Sequence, residues 1–261
     1  MNPLRILYAD LAKSCAVTDS TEATGYPGTN VQHPHLSRAW RTSALAAQWI
    51  IFDAGAGNTI SFDTAAIVGH NLTAAAVVKV QSDDTPTWAP PGGVDKNADP
   101  TQPLMVVDVA PLPTARRYVR VYIDDPTNPA GYISIGRIML GIRFEGETID
   151  RGFKIAIEDS TVLSASLSGQ IFADLGVQQR VYSMSLGTMK NATKQKLIVI
   201  VQTAGQYDPV VVIPSESSIP GAVGETEAIM PLYATMTKGV SFTEQGGWGW
   251  ADDVISFREA L

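Results

Sequence analysis

Short apolar or alternating segments, separated by turn residues, are the feature that most constrains this fold. Gln48–Asp53 is a strand candidate closed by a glycine turn, and Val77–Gln81 and Tyr118–Ile123 alternate apolar and polar residues. Such a period of two is typical of a strand with one buried face. Glycine and proline, at 22 and 16 residues, punctuate the whole chain. The pattern predicts a mainly β protein whose sheets pack as a sandwich.

One helix candidate lies in the second half of the chain. Apolar residues within Lys190–Thr203 recur at helical spacing, although their isoleucine and valine content is less favourable for a helix. Thr188 is a candidate N-terminal cap, and Gly205 stands where a helix-ending glycine is common. We therefore predict a helix at about 190–204.

Composition shifts near Phe144–Arg151, and we place a domain boundary there. The prediction is an N-terminal β-sandwich over residues 1–145 and a β-rich assembly domain over residues 146–261 that contains the helix. Within the first part, the polar stretch Ser82–Pro103 is predicted to be one long loop.

Charge and hydropathy exclude several classes of partner. The net charge is -7, and a protein that grips phosphate backbones usually needs a cationic surface, so we expect no nucleic-acid partner. The longest apolar runs, such as Leu197–Val201, are far shorter than the roughly 20 residues of a membrane helix, so we expect no membrane insertion. The first residues mix charged and apolar side chains, so we expect no cleaved export signal.

Catalytic motifs do not occur in the sequence, which holds no GxSxG, Walker A or HExxH pattern. The single cysteine, Cys15, is expected to be a buried, inert thiol. His33 and His35 lack further histidine or cysteine partners for a tetrahedral metal site. We predict no enzyme activity, no catalytic residues, no cofactor and no metal. Calcium at the adjacent carboxylates Asp83-Asp84, Asp124-Asp125 or Asp252-Asp253 stays open as an alternative to solvated turns.

Aromatic residues supply the candidate binding groups. Trp49 lies on a predicted strand and is expected to pack in the core, whereas Trp88 lies in the proline-rich polar loop. A tryptophan in such a loop either packs on its own prolines or forms an exposed stacking platform for a sugar or a protein. Tyr26, in a Gly-Tyr-Pro-Gly turn, is a weaker candidate of the same kind, and Trp248 and Trp250 could cover a strand or form an assembly contact.

Four segments together resemble the discoidin, or galactose-binding-like, family. They are Gly25-Tyr-Pro-Gly-Thr-Asn30, Ala39-Trp-Arg-Thr-Ser43, Gln48-Trp-Ile-Ile-Phe-Asp-Ala-Gly55 and Ile67-Val-Gly-His-Asn-Leu72, with Ala54 in place of the usual leucine. The resemblance implies a jelly-roll sandwich whose loops, here about 19–35 and 82–103, contact carbohydrate. The candidate carbohydrate-binding residues are therefore Trp88, Tyr26 and Asp83.

The combination also resembles a group of tailed-bacteriophage structural proteins, which append a second β-rich domain to such a module. Segments such as Ser168-Gly-Gln, Leu232-Tyr233 and the ending Trp250 to Glu259 carry this second resemblance. It implies a non-enzymatic component of a bacteriophage tail or tail tip, assembled in the host cytoplasm into the virion. Its expected partners are other tail proteins, further copies of itself in a homo-oligomer and a host-surface glycan. The alternatives are a stand-alone lectin-like carbohydrate-binding module and an unrecognised hydrolase.

Overall fold

The computed structural model describes residues 3–148, 154–185, 188–214, 230–237, 239–244, 250–252 and 254–260. Within them the chain is mainly β, with one α-helix, α1, at Asn191–Ala204. Two 3₁₀ helices span Leu11–Ser14 and Gly28–Gln32. The predicted fold class is confirmed, because strands dominate both halves of the chain.

The strands are short, as the frequent turn residues predict. In chain order they are β1 Pro3–Leu7, β2 Ala16–Asp19, β3 Trp40–Arg41, β4 Gln48–Asp53, β5 Thr64–His70, β6 Val77–Asp83, β7 Asp95–Ala98, β8 Leu104–Asp108, β9 Tyr118–Asp124, β10 Ser134–Gly141 and β11 Phe144–Thr148. The remainder are β12 Lys154–Asp159, β13 Val162–Ala165, β14 Ile171–Asp174, β15 Gln178–Met184, β16 Thr188–Met189, β17 Val210–Ile213, β18 Leu232–Met236, β19 Phe242–Glu244, β20 Trp250–Asp252 and β21 Ile255–Glu259.

Two antiparallel sheets form the N-terminal sandwich. A five-stranded sheet has the order β2-β4-β9-β6-β7, and a four-stranded sheet has the order β3-β10-β5-β8. Their facing side chains share one buried cluster that includes Trp40, Phe52, Ile67, Val121 and Ile138. The alternation in β4 and β9 thus buries every second residue between the sheets, as a sandwich requires.

Strand register defines two ends of the sandwich. Asp53 and Asp83 both pair with Tyr118 at one end, which we call the Asp53 end. Gln48 pairs with Ile123 at the other end, which we call the Gln48 end. Loops after β6 and before β9 therefore lie at the Asp53 end, whereas the loops between β2 and β4 lie at the Gln48 end.

A third sheet covers the outer face of the four-stranded sheet. It has seven strands in the order β11-β1-β17-β18-β21-β15-β12. One face of this sheet packs Leu7, Val211 and Tyr233 against Met139 and neighbouring residues of the four-stranded sheet. Its other face, with Leu4, Ile6, Val210 and Val212, packs on Leu197, Ile200 and Ala204 of α1. The described chain is therefore layered as sheet, sheet, sheet and helix.

The third sheet takes a strand from the very start of the described chain. β1 lies between β11 and β17, although Pro3–Leu7 falls inside the predicted N-terminal domain. β11 itself crosses the boundary placed at residues 145 and 146. The division of the chain into two domains stays a prediction. The pairing of β1 with β17 makes the first strand of the predicted N-terminal domain part of the seven-stranded sheet, whose other strands lie mostly in the predicted second domain.

The helix prediction is confirmed, but the predicted N-terminal cap is wrong. Gly205 follows the last residue of α1, has φ 58° and donates its N–H to Val201 O, as predicted for a glycine at that end. Lys190 precedes the first turn without a side-chain cap, and Thr188 lies instead in β16. Nothing in the described part of the chain forms a helix long and apolar enough to cross a membrane.

Two sequence-based expectations are wrong in detail. Trp49 is not in the core, because Ile50 and Phe52 point inward and leave Trp49 half-buried on the outer face of the five-stranded sheet. The stretch Ser82–Pro103 is not one loop, since Asp95–Ala98 forms the edge strand β7. Trp248 lies outside the described residues, and so does the side chain of Trp250.

A buried arginine joins the sandwich to the third sheet. The Arg137 guanidinium is 0% exposed, and its Nη1 donates to Tyr233 Oη at 2.7 Å. Its Nη2 lies 3.1 Å from Asp10 Oδ2 and 3.6 Å from Asp208 Oδ1. Burial raises the pKa of Tyr233 to about 12, so this hydroxyl keeps its proton and donates it to Pro34 O at 2.6 Å. The Tyr233 hydroxyl therefore bonds both to the buried Arg137 guanidinium and to the half-buried Pro34, which lie on different segments.

Replacing Tyr233 with phenylalanine should destabilise the protein. Tyr233→Phe removes the acceptor of a buried charged N–H, which costs about 2 kcal/mol in the free energy of unfolding. Tyr207→Phe is the matched control, because Tyr207 is 81% exposed and should change the free energy by less than about 0.5 kcal/mol. Urea denaturation of both variants measures the change in the free energy of unfolding. Equal stabilities of Tyr233→Phe and Tyr207→Phe would show that the hydrogen bond between Arg137 and Tyr233 does not stabilise the fold.

Candidate recognition surface

The outer face of the five-stranded sheet carries aromatic and charged side chains. Because Val119, Val121 and Ile123 of β9 point into the core, the alternate residues Arg120 and Tyr122 point outward. Tyr122 is paired with Trp49 of β4, and Arg120 with Ile51. Side chains paired across neighbouring strands lie within contact range on one face. The face thus presents a row of aromatic rings beside an arginine.

The Trp88 loop folds back over this row. Arg120 Cζ lies 4.5 Å from the centre of the Trp88 ring and 5.4 Å from that of the Tyr122 ring. Its Nε and Nη2 donate to Gln81 Oε1 at 2.9 and 2.5 Å, and burial lowers the pKa of this guanidinium. We call Trp49, Trp88, Arg120 and Tyr122 the Trp88 surface. Cation–π contacts and the Gln81 hydrogen bonds hold Arg120 in a fixed position between the rings.

Asp83 organises the loop that carries Trp88. Its Oδ1 accepts the backbone N–H groups of Asp84 and Thr85 at 2.7 and 3.1 Å, and its Oδ2 accepts that of Gly92 at 2.6 Å. The hydrogen bond from Gly92 has the largest effect and lowers the pKa of the Asp83 carboxyl, burial opposes it, and the hydrogen bonds from Thr85 and Asp84 lower the pKa further. Asp83 therefore ties together the two ends of the Trp88 loop.

Tyr26 lies in a separate aromatic group at the Gln48 end. Arg41 Cζ is 4.1 Å from the centre of the Tyr26 ring and 5.0 Å from that of Tyr132, so the guanidinium contacts two rings. The structure thus brings Asp83 and Trp88 into one loop and places Tyr26 elsewhere. The role of these three residues in carbohydrate binding stays a prediction.

Sequence reasoning did not select Arg120, Tyr122, Arg41 or Tyr132. A signal for the first two existed, because the alternation of Tyr118–Ile123 places Tyr118, Arg120 and Tyr122 on the face opposite to the valines. No comparable signal existed for Tyr132, since it reaches Arg41 only through the pairing of β3 with β10.

Two of the three pairs of adjacent carboxylates proposed for calcium contact groups of the protein itself, whereas the side chain of Asp252 and all of Asp253 lie outside the described residues. Asp84 pairs with Arg116, and Asp124 Oδ1 accepts the backbone N–H of Ala47 at 3.2 Å. Asp125 is buried and accepts Thr73 N–H and Oγ1–H at 2.9 and 2.6 Å. Among the described residues, no three His, Cys, Asp or Glu side chains form a group able to hold a metal ion.

An exposed hairpin in the second half of the chain is unusually apolar. β13 and β14 form a two-stranded sheet in which every residue is exposed. We call residues 160–177 the arm. Its large apolar side chains are all at least 54% exposed, and they are Val162, Leu163, Leu167, Ile171, Phe172, Leu175 and Val177. Soluble monomers rarely expose contiguous apolar patches of this kind, and such patches commonly mark interaction sites.

Comparisons with known proteins give structural likeness only. No family model and no curated protein matches this chain. Chitosan-binding module 1 of a chitosanase/glucanase from Paenibacillus sp. IK-5 is similar at 17% identity and a TM-score of 0.38, covering 51% of this chain and 98% of that one. The family 32 carbohydrate-binding module of C. perfringens NanJ, solved with galactose, is similar at 11% identity and a TM-score of 0.39, covering 54% of this chain and 99% of that one. The lectin domain of lectinolysin, solved with Lewis B antigen, is similar at 14% identity and a TM-score of 0.39, covering 51% of this chain and 95% of that one.

Removing the charge of Asp83 should release the Trp88 loop. In Asp83→Asn the amide nitrogen cannot accept the Gly92 N–H, so we expect a loss of about 1–2 kcal/mol in the free energy of unfolding. Hydrogen exchange of the amides of Asp84, Thr85 and Gly92 should become faster. Asp99→Asn is the matched control, because Asp99 also accepts local backbone and hydroxyl groups but only within its own exposed turn.

The pH dependence of the free energy of unfolding gives a second test of the Asp83→Asn variant. The folded pKa of Asp83 is below its unfolded value of about 3.9, so its contribution is complete well above pH 4 and is lost as pH falls through the lower, folded pKa. The stability difference between wild type and Asp83→Asn should therefore be constant above about pH 5 and should narrow below about pH 4. A difference that does not vary with pH would contradict this assignment.

Proposed function

We propose that this chain is a non-catalytic carbohydrate-binding protein and that the Trp88 surface contacts the sugar. The observation that carries the proposal is the position of Trp88. Arg120 contacts both the Trp88 and the Tyr122 rings, and Tyr122 is paired with Trp49 on the outer face of a sheet whose other face is packed in the core. A rigid sheet that presents partly exposed rings is suited to recognition rather than to chemistry.

The chemistry of the Trp88 surface suits a sugar ring. A pyranose has apolar C–H faces that pack on aromatic rings and hydroxyl groups that need donors and acceptors at the rim. Here the rings of Trp49, Trp88 and Tyr122 supply the apolar area, and the Arg120 guanidinium supplies polar atoms. Rings held by a sheet and by cation–π contacts lose little freedom on binding, which favours affinity.

Truncating Trp88 should abolish glycan binding. On a glycan array, Trp88→Ala should lose the signals of the wild-type protein by at least about tenfold, since a stacked ring at the centre of a site contributes more than about 1.4 kcal/mol. Tyr207→Ala removes a ring that is 81% exposed and is distant in sequence from the Trp88 surface, so this variant should bind glycans as the wild type does. Thermal unfolding checks that both variants remain folded.

Two outcomes would reject this assignment. The first is a wild-type protein without any glycan signal, which would remove the function. The second is loss of binding in Tyr26→Ala but not in Trp88→Ala, which would move the site to the Gln48 end, where Tyr26 and Arg41 lie.

A structural role in a bacteriophage tail or tail tip is the second candidate, and the apolar arm is the observation that favours it. A chain that exposes so many large apolar side chains on one hairpin gains stability when another protein covers them. Such a subunit would assemble in the host cytoplasm with other tail proteins and reside in the virion.

Labelling tests the virion proposal directly. A gold-labelled tag at the C-terminus, viewed by electron microscopy on purified phage particles, should decorate the tail or its tip. A protein that is absent from purified particles, and that captures no virion protein in pull-down experiments, would contradict the proposal while leaving glycan binding untouched.

A further inference from the structure

Arg120 differs from most arginines of this chain because it has no carboxylate partner. Among the described residues, the half-buried arginines without an ion pair are Arg41 and Arg120. The arginines that pair with an aspartate or a glutamate are Arg5, Arg116, Arg117, Arg137, Arg143, Arg180 and Arg258. A half-buried cation that the protein does not pair is suited to bind an anion from outside.

Gln81 determines which part of the Arg120 guanidinium stays available. The Nε and Nη2 atoms of Arg120 both donate to Gln81 Oε1, so a neutral acceptor occupies this edge of the guanidinium. Gln81 Nε2 in turn donates to Asp95 Oδ1 at 3.0 Å, which fixes the orientation of the amide. The charge of Asp95 acts on Arg120, but the two residues form no ion pair. The protein therefore holds Arg120 in place without neutralising it.

The remaining edge of the guanidinium lies beside the aromatic rings. Nη1 of Arg120 has no hydrogen-bond partner among the described residues, and it is not one of the buried polar atoms that lack a partner, so it reaches solvent. The edge formed by Nη1 and Nη2 still offers two N–H groups in a fork that matches the oxygens of a carboxylate. Because the Trp88 and Tyr122 ring centres lie 4.5 and 5.4 Å from Cζ, a ligand on this fork also reaches a ring.

A second positive charge lies on the same face of the sheet. Lys79 of β6 is paired with Tyr122, and it is therefore a diagonal neighbour of Arg120. Lys79 is half-buried and forms no ion pair with a described residue. Asp124, two residues beyond Tyr122, lies at the Gln48 end and accepts the Ala47 N–H. The Tyr122 ring is thus flanked by two cations that have no carboxylate partner.

Covering Arg120 with a neutral sugar is unfavourable. A ring that stacks on Trp88 or Tyr122 removes water from the guanidinium, and neutral hydroxyl groups do not compensate its charge. A carboxylate does, because hydrogen bonds between ionised groups are roughly twice as strong as neutral ones. In a uronic acid the carboxylate projects from the edge of the pyranose ring. The C–H face of the sugar can therefore stack while the acid group reaches the fork.

We infer that the Trp88 surface is specific for acidic sugars and that Arg120 binds their oxyanion, a carboxylate or a sulfate. The inference rests on the proposed carbohydrate binding and names the class of sugar. It adds Arg120 as the residue that determines specificity and Gln81 as the residue that positions it.

Matched pairs of oligosaccharides test the inference with the wild-type chain. The probes are hexasaccharides of galacturonic acid and of mannuronic acid, each with its carboxyl-reduced neutral form, and a sulfated galactan oligomer with its desulfated form. By calorimetric titration, at least one acidic probe should bind about tenfold or more tightly than its neutral counterpart. The uronate and sulfate pairs distinguish the two oxyanions. Equal binding of all acidic and neutral forms would overturn the inference and leave carbohydrate binding intact, whereas no binding of any probe would overturn both.

Moving one carboxylate within the protein tests the role of Arg120. The double variant Gln81→Glu/Asp95→Asn keeps the net charge but places the carboxylate on the acceptor of Arg120 Nε and Nη2. Because Arg120 is then neutralised internally, the affinity for the acidic probe should fall about tenfold or more. Arg120→Gln is the second variant and should show the same loss.

Arg41→Gln is the matched control for both variants. Arg41 is also half-buried, contacts two aromatic rings and has no ion pair, but it lies at the Gln48 end. This variant should bind the acidic probe within about threefold of the wild type. Loss of the acidic preference in Arg41→Gln, or its retention in Arg120→Gln, would overturn the assignment to Arg120. Thermal unfolding of each variant checks that the fold is retained.

Discussion

Burial of the Arg137 guanidinium is the constraint on which the layered structure depends. A buried charge is costly unless it is paired, and here the partners of the two Nη atoms come from three separate segments that carry Asp10, Asp208 and Tyr233. The Nε atom of Arg137 is buried without a hydrogen-bond partner among the described residues. Two of the partners, Asp208 and Tyr233, belong to the second half of the chain. The sandwich therefore cannot separate from the third sheet without exposing apolar surface and breaking this cluster at the same time. The buried cluster that contains Met139, Leu7 and Val211 supplies the apolar area between these layers, and the arginine adds polar contacts that span them.

Two-sided burial of the four-stranded sheet explains which surfaces remain for binding. In β10, unlike β9, residues of both faces are buried, since Ile138 and Leu140 join the core of the sandwich whereas Arg137 and Met139 enter a further layer. The outward residues of β9, including Arg120 and Tyr122, face the Trp88 loop and solvent instead. One sheet of the sandwich is thus a structural centre, whereas the other has a free face. The two sheets differ in this way because the seven-stranded sheet, which contains β1, covers the four-stranded sheet and not the five-stranded one.

The sequence predicts local elements well because they depend on local patterns. The strand Gln48–Asp53 and the glycine at the end of α1 follow from residue type and spacing. Trp49 was assigned to the core wrongly, because a run of four apolar residues hides which face is buried. The neighbours of Trp88 and the placement of β1 between β11 and β17 could not be predicted, since both depend on pairing between residues far apart in sequence. The exposure of the arm was equally unpredictable, because alternating apolar residues usually indicate a buried face.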